Sequence, residues 1–214
     1  MKQGDDIPST DLDANPDKLR TKKGRARYTR AYFYTVCSSG GVFLADAKHK
    51  NYATAYRDKV FLRDLFGRLR VNDTGLYNPP FSYVSPCGRE LNFVVPEDPL
   101  TPYVFHSLAT APPSTIALSQ KRITSSRKHE AQETGEEGEG EVDVLVYGGD
   151  SFVEFEPDKL WIDAASGRMY HPSPDASLPG LVGDKLSMGL SLRVGDEDGV
   201  ILTVHGIDHF VPMR

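Results

Sequence analysis

The chain has 214 residues with 25 basic and 30 acidic side chains, a formal charge of −5, and 52 of its residues are Leu, Ile, Val or Phe. That apolar share exceeds the roughly 20% below which chains stay disordered, so a core can form. No window reaches the ~18 consecutive apolar residues of a membrane-spanning helix, and two cysteines fifty residues apart make neither a disulfide framework nor a four-thiolate zinc site.

Residues 1–29 carry Ile7, Leu12 and Leu19 isolated among Asp, Lys, Arg and Pro. Such a stretch buries too little surface to offset its ordering entropy, which predicts a disordered arm. Within it the run 18–30, KLRTKKGRARYTR, has seven basic and no acidic side chains. A run of this kind can hold phosphate backbones through counterion release, with Tyr28 available to stack on a base. The five aspartates of residues 1–17 argue against a mitochondrial presequence, because presequences are poor in acids.

Arg30–Val36 and Val42–Ala45 flank a Cys-Ser-Ser-Gly-Gly turn and read as a hairpin. The period changes at 58–70, where Phe61, Leu65 and Leu69 recur every four residues with Leu62 and Phe66 alongside. This predicts an amphipathic helix with Asp58 as N-cap and Asn72–Gly75 as the stop. Extended runs follow at Phe81–Ser85, Leu91–Val95 and Tyr103–Leu108. The stretch at about 109–141 then passes from Pro, Ser and Thr through Lys121, Arg122, Arg127 and Lys128 into glutamates interleaved with glycine, which predicts a disordered low-complexity insertion.

Past the insertion, strands are predicted at Val142–Tyr147, Phe152–Phe155, Leu160–Asp163 and Arg168–His171. Leu186, Met188, Leu190, Leu192 and Val194 alternate with small or polar residues and predict a half-buried strand, a helix there being weakened by Gly183 and Gly189. Val200–Val204 and a return strand to Val211 close the chain. Short connections favour antiparallel pairing over crossovers. The expected architecture is α+β: a mostly antiparallel twisted sheet with one main amphipathic helix. It forms a single domain over 30–214, interrupted by the insertion and preceded by the arm 1–29.

The segments YFYTV…GGVFLADAKHKN, FLRDLFGRLRVNDTGLY, FSYVSPCGRELNFVVPED, FEPDKLWIDAASGRMYHPSP and GLVGDKLSMGLSL together resemble the uncharacterised protein family 0598, a eukaryotic domain of unknown function. Residues Cys87–Glu90 and Gly167–Pro172 carry the specificity of the resemblance. The long stretch near 115–141 and the acidic N-terminus depart from it. An intracellular, cytoplasmic protein is expected; the resemblance adds the mitochondrion as the alternative and brings no catalytic residue, substrate or cofactor.

Cys87 is the most reactive candidate. Arg89 would favour its thiolate, and His106 or His171 would serve as base if folding brought one of them near. The plainer reading is a small turn residue, with Arg89 and Glu90 forming a salt bridge. Arg89, Glu90, Arg168, Tyr170 and His171 are candidate ligand-binding residues. His205 and His209 could share a metal on a helix, but their surroundings read as strand and turn, so no metal site is assigned. Asp46, Asp163, Glu154 and Glu156 read as solvent-facing carboxylates, and no phosphate loop or Rossmann turn is present. Tyr32, Tyr34, Tyr77, Tyr83, Tyr103 and Tyr170 are candidates for an aromatic contact surface.

The leading expectation is a non-enzymatic module that binds an unknown protein, or a ligand, through the face of its sheet, without a cofactor. The alternatives are an enzyme with Cys87 as nucleophile and a histidine base, and an RNA or anionic-surface contact through 18–30.

Overall fold

The computed structural model describes residues 28–115, 140–195 and 198–214. The expectations for residues 1–27 and 116–139 fall outside them. The fold is α+β with mostly antiparallel sheets. The described residues group into two compact units, 28–37 with 41–102 and 38–40 with 103–214.

The first unit is a five-stranded sheet with one helix. Its strands are β1 (Arg30–Val36), β2 (Val42–Leu44), β3 (Arg70–Val71), β4 (Tyr83–Cys87) and β5 (Glu90–Pro96), in the order β2-β1-β5-β4-β3. The predicted β1–β2 hairpin forms, and β4 and β5 pair antiparallel. The central pair departs from the antiparallel expectation, because β1 and β5 run parallel in register from Arg30↔Glu90 to Val36↔Pro96. The chain between them passes through helix α1 (Lys59–Gly67), which supplies the long crossover a parallel pair requires.

Asp58 caps α1 as its sequence position suggests, its carboxylate accepting the N–H groups of Val60 and Phe61 at 2.9 and 3.1 Å. The helix ends at Gly67, short of the expected Asn72–Gly75 stop, and Arg70 already lies in β3. Its buried side chains are Leu62, Leu65 and Phe66. Phe61 turns toward Tyr34 and Tyr56, with ring centroids 5.5 and 5.1 Å away. Alternation along β1 sends Tyr34 to this helix-covered face and Phe33 to the opposite one. There Phe33, Phe81 and Phe93 pack as an aromatic cluster with Tyr77 against their edges.

The second unit holds three small sheets. One has the order β10 (Trp161–Ile162), β11 (Met169–Pro172), β12 (Pro179–Val182), β6 (Val104–Phe105). A second joins β7 (Ser107–Ala111), β8 (Val142–Tyr147) and β9 (Ser151–Glu154). The third joins β13 (Leu192–Val194), β14 (Gly199–Val204) and β15 (Ile207–Pro212). Strand β7 pairs with β8 from Ser107↔Val146 to Ala111↔Val142, so residues 109–111, assigned from the sequence to the insertion, extend a ladder.

Strand β12 was not anticipated, and it pairs parallel with β6. It packs so tightly that a Cβ at Gly180 would lie 2.3 Å from the Phe105 ring. The predicted strand over 186–194 is corrected. Residues Asp184–Gly189 form a short helix, α2, and only Leu192–Val194 are extended. The alternation has no burial behind it: no α2 residue is buried, and Met188 is 80% exposed. Asp184 favours a helix start by placing its carboxylate in the first turn, where it accepts a hydrogen bond from the Ser38 hydroxyl at 2.8 Å.

Candidate functional site

Cys87 closes β4 and pairs with Glu90 across a two-residue turn, Gly88–Arg89, in which Gly88 takes φ +60°. The positive φ explains the glycine of the SPCGRE run. The thiol is half-buried, with its sulfur 3.9 Å from the Ser85 hydroxyl. Arg89 is exposed, and its carbonyl accepts the Thr29 N–H at 2.7 Å. The expected Arg89–Glu90 bridge gives way to an ion pair between Glu90 and Arg30 at 3.6 Å, solvent-facing on both sides. Tyr28, proposed as a base-stacking ring, belongs instead to the hydrophobic cluster beside Ala31 and Phe81.

The remaining candidates, His106, Arg168, Tyr170 and His171, belong to the second unit. His171 is fully buried, against the rings of Phe105 and Phe155. Its Nε2 faces the backbone N–H of Glu156 at 3.0 Å, and its Nδ1 faces the carbonyl of Pro172 at 2.9 Å. An amide only donates and a carbonyl only accepts, so the ring carries its hydrogen on Nδ1 and is neutral. Burial lowers its pKa first of all, with the Pro172 carbonyl and the Glu156 carboxylate opposing.

Tyr170, next along β11, stacks on Trp161 with centroids 4.6 Å apart. Consecutive strand residues point to opposite faces, so Tyr170 and His171 do not share a pocket. Arg168 donates its backbone N–H to the Ser166 hydroxyl at 3.3 Å in the turn before β11. His106 lies between β6 and β7, half-buried, with Nδ1 3.2 Å from the Ser107 hydroxyl, and burial lowers its pKa. Of the aromatic candidates, Tyr34, Tyr83, Tyr103 and Tyr170 are buried, whereas Tyr32 and Tyr77 are half-buried.

His205 and Gly206, at φ +49° and +79°, form the turn between β14 and β15. The two imidazoles engage different carboxylates: His205 Nε2 lies 2.7 Å from Asp143, and His209 Nδ1 lies 2.8 Å from Asp158. Among the described residues, no group of three His, Cys, Asp or Glu side chains gathers as a metal site. Asp163, one of the carboxylates read as solvent-facing, accepts the Ser166 hydroxyl and N–H, and the hydroxyl holds its pKa below the ordinary value.

Two features escaped the sequence reading. The first is Asn92, on β5 at the centre of the first unit's sheet. It is 1% exposed, and among the described residues neither its Oδ1 nor its Nδ2 has a partner. Leaving a buried polar group unmatched costs about 1–3 kcal/mol. Asn72 in the same unit is the contrast. Its Nδ2 donates to the carbonyls of Leu76 and Phe81, each at 2.8 Å, and its Oδ1 accepts from the Thr74 N–H and hydroxyl. A polar residue within LNFVV was the available signal, but its isolation depends on what lies across the strands.

The second is the outer strand β13, which ends its sheet among the described residues and has every residue exposed. Thr203 donates its N–H to Ser191 O at 3.1 Å, making 191/203 a hydrogen-bonded pair of the ladder. The next such pair is Arg193/Ile201, so the Leu192 carbonyl and both main-chain groups of Val194 point away from β14. Val194 is 93% and Ile207 62% exposed, while Leu202 and Val211 on the same face are fully buried. The opposite face carries Ile201, Phe210 and the Arg193–Asp208 ion pair.

A family model described as a domain of unknown function, DUF4505, matches residues 22–200. This corrects the resemblance to family 0598 drawn from the sequence, because the matching model is DUF4505. Among solved structures, the crystal structure of a DUF1285 family protein from Silicibacter pomeroyi DSS-3 is similar at 15% identity. Its TM-score is 0.41, over 86% of this chain and 81% of that one. Among the described residues, no helix is long and apolar enough to cross a membrane.

Proposed function

The chain belongs to the DUF4505 family, and for it we propose a non-catalytic protein-binding module whose second unit receives an extended segment of a partner along the outer edge of β13. One observation supports the reading. Strand β13 is exposed at every residue, and Leu192 and Val194 turn main-chain groups outward. Strand addition uses such an edge: ladder hydrogen bonds supply affinity, and alternate side chains supply selectivity. Natural sheets blunt idle edges with proline, lysine or a covering element. Strand β13 has neither proline nor lysine, and its one charge, Arg193, is paired to Asp208 on β15, the far strand of the sheet.

The test is Val194→Pro. The Val194 N–H takes no part in the β13–β14 ladder, so the hairpin tolerates the change while the edge loses its donor. A partner captured reproducibly by the full chain is expected to be lost with Val194→Pro at an unchanged melting temperature. A dimer in sedimentation that Val194→Pro dissolves would make the added strand β13 of a second copy. Capture that survives the substitution overturns the proposal, as does a wild-type chain that is monomeric and captures nothing.

A further inference from the structure

The helix-covered face of the first unit's sheet changes character along its strands. At one end Tyr34, Val94 and Tyr83 are neighbours in register, and α1 lies over them. Two residues further along, the register sets Tyr32, Asn92 and Ser85 side by side on β1, β5 and β4. Beyond them the same face carries Cys87. Asn92 and Ser85 are buried, while Tyr32 and Cys87 remain partly open to solvent. The Ser85 hydroxyl is engaged with the Cys87 thiol, leaving the Asn92 amide as a buried polar group of this row with no partner among the described residues.

We infer that Asn92, Ser85, Cys87 and Tyr32 form a small-molecule site for a planar ligand that presents a hydrogen-bond donor and acceptor side by side on one edge. A primary amide offers two N–H donors next to an acceptor oxygen, and its complement is another amide-like edge. Carboxamides and amino-substituted nitrogen heterocycles share that edge, and an asparagine pairs with adenine in this way. The half-open Tyr32 ring beside Asn92 gives a flat ring a surface to lie against. Cys87 and Tyr32 mark the side from which a ligand enters. This site is in the first unit and is independent of the β13 edge.

The experiment uses the full chain with nicotinamide, adenosine and cytidine as probes. The readouts are alkylation of Cys87 by iodoacetamide, with Cys37 as internal reference, and the Asn92 side-chain NH2 resonances. At about four times its Kd a bound probe leaves one fifth of the sites open, so Cys87 alkylation slows about fivefold while Cys37 is unaffected. The Asn92 amide signals move in the same titration. Nicotinamide acting alone points to a carboxamide ligand, and adenosine or cytidine acting alone to a heterocycle edge. In Asn92→Leu the protection disappears, and the variant without probe melts above wild type because an unmatched amide has been removed. Unchanged Cys87 alkylation and unmoved Asn92 signals with all three probes overturn the proposal, as does protection that persists in Asn92→Leu. If Asn92→Leu fails to fold, the wild-type amide signals decide alone. A long-lived water found on Asn92 at saturating probe also overturns it.

Discussion

His171 Nε2 accepts the backbone N–H of Glu156 at 3.0 Å, tying the start of a 3-10 turn to the middle of β11. The bond requires the neutral ring. Burial lowers the pKa in the folded state, whereas the unfolded chain takes up this proton near pH 6.5. Below that value the unfolded state binds more protons, so the contribution of His171 to stability is complete above about pH 6.5 and is lost as pH falls toward the folded pKa. The loss of unfolding free energy between pH 7.5 and 5.5, measured by urea titration, is expected to be smaller in His171→Gln than in wild type. Equal losses would show that the ring titrates alike in both states.

Gly180 lies under Phe105, which is itself fully buried in the second unit. A methyl group there would sit 2.3 and 2.6 Å from two ring carbons. Either the ring leaves its rotamer or β12 moves away from β6. Overpacking of this kind costs about 1–3 kcal/mol. Gly180→Ala is therefore expected to lower stability by that amount, and Phe105→Leu in the same chain should recover part of it. Unchanged stability in Gly180→Ala would mean that β12 and β6 are not held at this spacing.

Features whose causes are local were legible in the sequence. Asp58 and the Phe61/Leu65/Leu69 period, with Leu62 and Phe66 alongside, place α1 without reference to anything distant, although Leu69 falls beyond the helix end and the side chains it buries are Leu62, Leu65 and Phe66. The Pro-Cys-Gly-Arg turn likewise places Cys87 opposite Glu90. Pairings decided far away in the chain were hidden. Nothing near Arg30–Val36 states that its central neighbour is the parallel strand Glu90–Pro96. The Leu186–Val194 alternation misled because a period of two identifies a strand only when one face is buried, and here neither is. For the candidate sites, residue type pointed to Cys87 and His171. What separates them is that the imidazole is consumed by two backbone groups, a fact of packing. The isolation of Asn92 is of the same kind.

Capping offers a direct measure of local control. The Asp58 carboxylate satisfies two first-turn N–H groups of α1. Asp58→Ala is expected to cost about 0.5–2 kcal/mol, and Asp58→Ser should restore most of it. Hydrogen exchange should quicken at Val60 and Phe61 before it does in β1 or β5. Uniform quickening across the unit would instead mean that the helix end is coupled to the whole sheet.

Asn72 and Asn92 predict opposite responses to losing an amide. The four hydrogen bonds of Asn72 hold the carbonyls of Leu76 and Phe81 and the Thr74 N–H and hydroxyl, which fixes the loop that brings Phe81 into the core. Removing that side chain orphans two carbonyls and leaves a void beside Phe81. Each orphaned group costs about 1–3 kcal/mol where water cannot reach it. Asn72→Ala is expected to lower stability by about 2–4 kcal/mol and to loosen the Phe81 and Tyr77 rings, visible as faster ring flipping by NMR. Asn92→Leu removes no bond, so it should leave those rings unchanged. If both variants destabilise the chain equally, burial rather than hydrogen bonding sets the worth of an asparagine in this sheet.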